Sequence, residues 1–251
     1  MSSGCQHRVD MCCVQLASDT VLDEEGPLLI RCFPGVTMRL VKLDCDPNAP
    51  ICTSTYIHCL ESGELHTKAA LLACTSYPVT TVIGMACTSL SFILGSSVVQ
   101  SELKRGFPSA RTMDMAEAQI EALKALGATH VGLLTPYVEE LASANASMLV
   151  AHAGVIVVAQ HTMCLPIDSM TSSIAPAEIA RLANKLNVAS AQVIVIGCSA
   201  FRACGPGFIT DLEKQVGKPV ITSTQAYLWW MLRVAGISDQ IQGYGRLFSH
   251  C

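Results

Sequence analysis

Residues 79–89, VTTVIGMACTS, and residues 192–200, QVIVIGCSA, decide how this chain is read. Each is a β-branched apolar run that ends on a cysteine followed by a hydroxyl residue. Such a run reads as a strand buried on both faces, the kind found in a parallel sheet covered by helices. The two cysteines, Cys87 and Cys198, stand 111 residues apart, and the helix ends ALKALG (122–127) and MLRVAG (231–236) stand 109 apart. Punctuation repeated at one interval implies two similar α/β lobes related by pseudo-twofold symmetry. A ligand would then sit in the cleft between them, facing the carboxyl ends of both sheets.

Outward from these runs, further strands are expected at 11–17, 36–43, 130–135, 154–159 and 219–222. Helices are expected at 62–75, 89–104, 112–126, 137–150, 176–187, 208–216 and 224–235, with Gly127 and Gly236 as stop signals. The organisation follows: a flexible tail over 1–10, a first lobe over 11–111 and a second over 112–222. Residues 223–251 form a C-terminal helix and tail returning to the first lobe.

The 251 residues suit one large domain or two small ones. Sixteen basic against twenty acidic residues give a net charge of −4, which argues against a nucleic-acid or anionic-membrane partner. With 51% hydrophobic and 14% charged residues, most of the chain is not disordered. The uncharged stretch between Lys68 and Glu102 is interrupted by Pro78, Gly84 and many Ser and Thr residues. It reads as helix–strand–helix rather than as a membrane span. Thirteen scattered cysteines without a Cys-x-x-Cys pair argue against a disulfide framework or a zinc ribbon. The N-terminus has no apolar signal region, so reduced thiols in a cytoplasmic protein are expected. Asn145-Ala146-Ser147 fits a glycosylation sequon that this setting leaves unused.

Cys87 and Cys198 both stand where a helix is expected to begin. A helix N-terminus favours the thiolate and offers free amides to a carboxylate. Two facing thiols could act as base and acid on one carbon, or as nucleophile and proton donor. Iodoacetamide is accordingly expected to find these two thiols first. His161 and Cys164 have a metal-compatible spacing but no second pair nearby, so no metal is expected. Trp229 and Trp230 suit an interface, in keeping with a homo-oligomer.

LASDT (16–20), GMACTSLS (84–91), ALKALGATHVGLLTPYVEE (122–140), IGCSAFRA (196–203), GKPVITSTQAYLWWMLRVAGI (217–237) and GYGRLF (243–248) together carry a family resemblance. The chain resembles the aspartate/glutamate racemase superfamily, in its branch of maleate cis-trans isomerases, arylmalonate decarboxylases and ectoine-utilisation protein A-like proteins. The resemblance implies two Rossmann-like lobes with parallel four-stranded sheets, no metal and no organic cofactor. It implies Cys87 and Cys198 as the catalytic thiols and Tyr137 as a donor to a substrate carboxylate. Thr88, Ser89 and Ser199 match carboxylate-holding positions, and Asp19 and Asp168 substrate-contacting ones. Arylmalonate decarboxylases lack the first cysteine, so two thiols favour isomerisation or racemisation of a small carboxylate. Decarboxylation and simple carboxylate binding are the alternatives. Maleate isomerases typically carry Asn where this chain has Asp19, and again near Asp168. An aspartate beside a substrate carboxylate is costly, so the sequence leans towards an amino- or hydroxy-substituted substrate. The competing role for Asp19 is a helix cap.

Overall fold

The computed structural model describes residues 9–44, 52–75 and 80–250. In chain order the first half contains β1 (Val9–Leu16), α1 (Val21–Ile30), β2 (Val36–Leu43), α2 (Thr53–Glu61), α3 (Glu64–Cys74), β3 (Thr80–Met85), α4 (Thr88–Leu94), α5 (Ser96–Gly106) and β4 (Arg111–Asp114). The second half contains α6 (Met115–Ala125), β5 (His130–Thr135), α7 (Glu139–Ala153), β6 (Ile156–Thr162), α8 (Asp168–Thr171), α9 (Pro176–Lys185), β7 (Val193–Ile196), α10 (Phe208–Val216), β8 (Val220–Thr222), α11 (Ser223–Val234) and α12 (Arg246–His250).

The strands form two four-stranded sheets of the same order, β2-β1-β3-β4 and β6-β5-β7-β8. Every pairing is parallel. Parallel neighbours need a crossover, and the helices supply it. The two lobes expected from the repeated punctuation are therefore present. The last rungs correspond as well: Met85 pairs with Asp114 in the first sheet and Ile196 with Thr222 in the second. From those rungs α6 and α11 start, capped by Asp114, which accepts from the amides of Ala116 and Glu117, and by the Thr222–Gln225 capping box.

Alternation along the strands divides the interior in two. One face of each sheet, with Met11, Cys13, Val82 and Met113 from the first and Val131, Leu133, Val193 and Val195 from the second, shares a core with α6 and α11. The opposite faces supply Val14, Ile83 and Met85 with Leu134, Ile194 and Ile196 to a second core, which also contains Cys87, Tyr137 and Cys198. Helices α6 and α11 pack on each other, and α11 also lies against α1, β3 and β4.

Several boundaries differ from expectation. The helix expected at 112–126 begins as β4, so the 111/112 lobe boundary falls inside a strand of the first sheet. Asp114, with its side chain on the first amides of α6, marks the true helix start. The helix expected at 89–104 is two helices separated by Gly95, whose φ of 83° no helix accommodates. β1 starts at Val9, within the span assigned to the tail; residues 1–8 of that tail lie outside the described residues. Helices α1 and α2 were not expected: Gly26-Pro27 disguises the first, although Pro27 is tolerated inside it. Trp229 is buried within the chain, stacked on Trp230 at 5.6 Å with the Arg233 guanidinium 5.4 Å from its ring. Among the described residues no helix is long and apolar enough to cross a membrane.

Candidate active site

β3 delivers Cys87 to the N-cap of α4, where its Sγ accepts from the Leu90 amide at 3.5 Å. Ser89 Oγ lies 3.5 Å from the same sulfur and 2.6 Å from Tyr56 Oη. Ser91 Oγ donates to the Cys87 carbonyl at 2.7 Å, and Thr88 Oγ1 meets Met115 Sδ at 3.1 Å. All these residues are buried. Thiol one thus sits in a closed net of hydroxyls at a helix N-terminus, where first-turn amides and the helix dipole favour negative charge. Tyr56 comes from α2 and was missed by sequence reading, because no local pattern ties it to Ser89, 33 residues on.

β7 delivers Cys198 in the corresponding way, with the Gly197 amide bonded to the Leu134 carbonyl at 2.8 Å. The expected helix does not follow. Residues 199–207 run as turns and loop, and α10 begins only at Phe208. Cys198 therefore lacks the helix N-terminus that Cys87 has. Ser199 is held by its carbonyl, which accepts from Thr224 Oγ1 on α11 at 3.2 Å.

Tyr137 joins the two halves. It follows β5, is fully buried and packs edge-on against Phe92 of α4, with ring centroids 5.8 Å apart. Burial pushes its ionisation well above the usual tyrosine range, and negative charge on Cys198, Cys87 or Tyr56 would push it further. The phenol thus stays a neutral donor, within the electrostatic reach of both thiols. Cys198 stands at hydrogen-bonding reach of the phenol and adds to that upward push. Thr135 Oγ1, Thr171 Oγ1 and both amide atoms of Asn145 are buried without partners among the described residues. Asn145 lies behind the Cys198 turn: a Cβ added at Gly197 would come within 3.0 Å of its Oδ1. Buried polar groups are rarely left unpaired, and this concentration in the second lobe suits a bound polar molecule or water. A buried Asn145 is also closed to glycosylation.

Asp19 is buried at the entrance to α1, where its Oδ1 accepts from the Val21 amide at 2.9 Å. It caps that helix. Two cations stand nearby: Lys42 Nζ donates to the Asp19 carbonyl at 3.3 Å, and Arg202, whose pKa is raised chiefly by its bond to Glu24, has Asp19 among its more distant acidic neighbours. Asp168 is the first residue of α8. Among the described residues no three His, Cys, Asp or Glu side chains form a group suited to a metal. The thiol reactivity expected from sequence also changes. Cys87 and Cys198 are only 4% and 3% exposed, whereas Cys32, Cys74 and Cys164 are exposed. Cys52 is partly exposed, and hydrogen bonds from the Ser54 and Thr55 hydroxyls hold its pKa below the usual cysteine range. These four outer thiols should meet a small alkylating agent before the pair in the cleft.

Residues 56–248 match the family model described as arylmalonate decarboxylase. The chain is 26% identical over 151 residues to a maleate isomerase of Nocardia farcinica, a stretch covering 60% of this chain and 59% of that protein. It is 28% identical over 178 residues to an arylmalonate decarboxylase of Bordetella bronchiseptica, covering 66% and 70% respectively. Among solved structures, the maleate isomerase Iso of Pseudomonas putida S16 superposes with a TM-score of 0.83 at 20% identity, covering 96% of this chain and 98% of that one. A cysteine-to-serine variant of the Nocardia farcinica maleate cis-trans isomerase, solved with a covalently bound succinylcysteine intermediate, gives 0.81 at 18% identity over 97% and 99%. The fold is shared throughout.

Proposed function

The chain belongs to the arylmalonate decarboxylase family, in the branch of the aspartate/glutamate racemase superfamily that also holds maleate isomerases. From that premise we propose that it is a two-cysteine isomerase of a small carboxylate, working without a cofactor, with cis-trans isomerisation of an unsaturated dicarboxylate as its first reading. The observation that carries this is that both buried thiols share one cluster with the buried Tyr137.

Cys87, favoured as thiolate at the α4 N-terminus, adds to one alkene carbon and forms a C–S bond. The π electrons move towards the adjacent carboxylate, where Tyr137 and the first-turn amides of α4 receive the charge. Cys198 gives its proton to the neighbouring carbon, leaving a saturated thioether free to rotate about a single bond. The Cys198 thiolate then takes a proton back, the C–S bond breaks, and the trans alkene leaves with Cys87 again a thiolate. The succinylcysteine seen in the Nocardia isomerase variant supports such an adduct. Decarboxylation needs only one proton donor, so a second thiol would have no task in it.

The local structure around Asp19 weakens the sequence-based lean towards an amino-substituted substrate. Its carboxylate already has a partner in the Val21 amide at the start of α1. No cation on the substrate is then required, and the dicarboxylate returns to first place.

Arylmalonate decarboxylation is the second reading, favoured by the family match and the Bordetella relative. Proton NMR in deuterated buffer on maleate, aspartate, glutamate and phenylmalonate separates the classes. The proposal expects fumarate from maleate with no carbon dioxide released. Carbon dioxide from phenylmalonate with maleate untouched would replace it by the decarboxylase, and inertness towards all four would leave a binding protein.

A further inference from the structure

Four residues beyond Cys198, Arg202 joins its own loop to two other segments. Its two terminal nitrogens donate to both carboxylate oxygens of Glu24 on α1, one of them at 3.0 Å, and its Nε donates to the Ser172 carbonyl at 2.9 Å. Next to this fork, Glu25 Oε2 accepts the Cys204 amide at 2.7 Å. The guanidinium therefore ties the Cys198 loop of the second lobe to α1 of the first, just before which Asp19 lies. It also ties that loop to the end of α8, which starts at Asp168. All three segments carry candidate site residues.

We propose that Arg202 is a positioning residue of the cleft, holding the Cys198 loop against α1 and α8 and so setting how open the site is around the second thiol. The Glu24 side chain is 53% exposed and that of Arg202 31%, so the pair is wet and screened. A pair of this kind adds little to global stability. It suits a contact that opens and recloses as ligands pass, rather than one that holds the fold. A bidentate guanidinium–carboxylate fork fixes geometry in a way a lysine cannot reproduce. Glu25, on the same helix, restrains the loop through its backbone and leaves Arg202 as the ionic, salt-sensitive element.

The test reads access to the thiol, not turnover, and so does not depend on the reaction assigned above. The full chain is alkylated with iodoacetamide, and Cys198 and Cys13 are followed by mass-spectrometric mapping; Cys13, fully buried in β1, reports general loosening. Arg202→Ala should raise the Cys198 rate about fivefold or more at low salt with Cys13 unchanged, a local opening rather than a global one. One molar NaCl should bring the wild type towards the variant's rate and move the variant far less, because the Arg202–Glu24 pair that it screens is absent there. Glu24→Gln, on an exposed side chain, should give an intermediate rate and keeps the test open should Arg202→Ala fold poorly. Wild-type Cys198 rates in both variants, or equal acceleration of Cys198 and Cys13, would overturn the assignment.

Discussion

The two lobes share one strand order and one capping arrangement, yet treat the cysteine at the end of their third strand differently. In the first lobe the chain turns straight into α4, and Cys87 becomes its N-cap within reach of Leu90, Ser89 and, through Ser89, Tyr56. In the second it wanders through residues 199–207 before α10, and that loop is given to contacts with the opposite lobe. A duplicated frame thus brings two thiols into one buried cluster, and a single altered connection gives them different surroundings. One has a helix terminus to favour its anion. The other has Tyr137 and a loop that the first lobe holds in place.

The most direct way to break this comparison is to remove each thiol. Cys87→Ser and Cys198→Ser should each lower turnover at least about a thousandfold, since both act in one unit. Only Cys198→Ser should accumulate a thioether adduct with maleate, read as a mass gain of one substrate by intact mass spectrometry. Adducts in both variants or in neither would make the thiols equivalent and remove the lesson of the α4 cap.

A smaller effect separates the two tyrosines. Tyr137→Phe removes a buried donor facing developing charge and should lower kcat about a hundredfold. Tyr56→Phe removes only the partner of Ser89, one net hydrogen bond, and should cost about fivefold. Equal losses in steady-state kinetics would mean that the hydroxyl net at Cys87 carries what is assigned here to Tyr137.

The smallest effect lies at the contact between lobes. Burial raises the Glu25 pKa above the usual carboxylate range, with the Cys204 amide and Arg202 pulling back only in part. A folded-state pKa above the unfolded one gives stability that is fully present below the unfolded value and is lost as pH rises through the folded value. Glu25→Gln, which keeps an acceptor for the Cys204 amide, should therefore melt close to wild type near pH 4. It should gain about 1–3 °C over wild type by about pH 7 in calorimetry. A uniform loss at both values would show that the ionised carboxylate is what the loop requires.

The Cys87→Cys198 interval and the β-branched runs made the two lobes legible in sequence, because strand burial and glycine stops are local signals. Thr88, Ser89 and Tyr137 could be named only through the family resemblance, since nothing in the local pattern marks them out. The register of β4 could not be read, since four residues running into a strong helix offer no periodicity of their own. Nor could Asp19's surroundings, since Lys42 reaches its carbonyl from β2 and Arg202 arrives from the other lobe.

What the sequence determined by itself was the frame and the matching placement of Cys87 and Cys198 after corresponding strands, since both are written in patterns a few residues long and repeated. Tertiary structure decided the inequality of those thiols, the Tyr56–Ser89 contact and the Arg202–Glu24 tie. Each joins groups from 33 to 178 residues apart. A hydrogen bond or ion pair depends on separations of a few ångströms, and sequence spacing constrains those only within a single helix or strand.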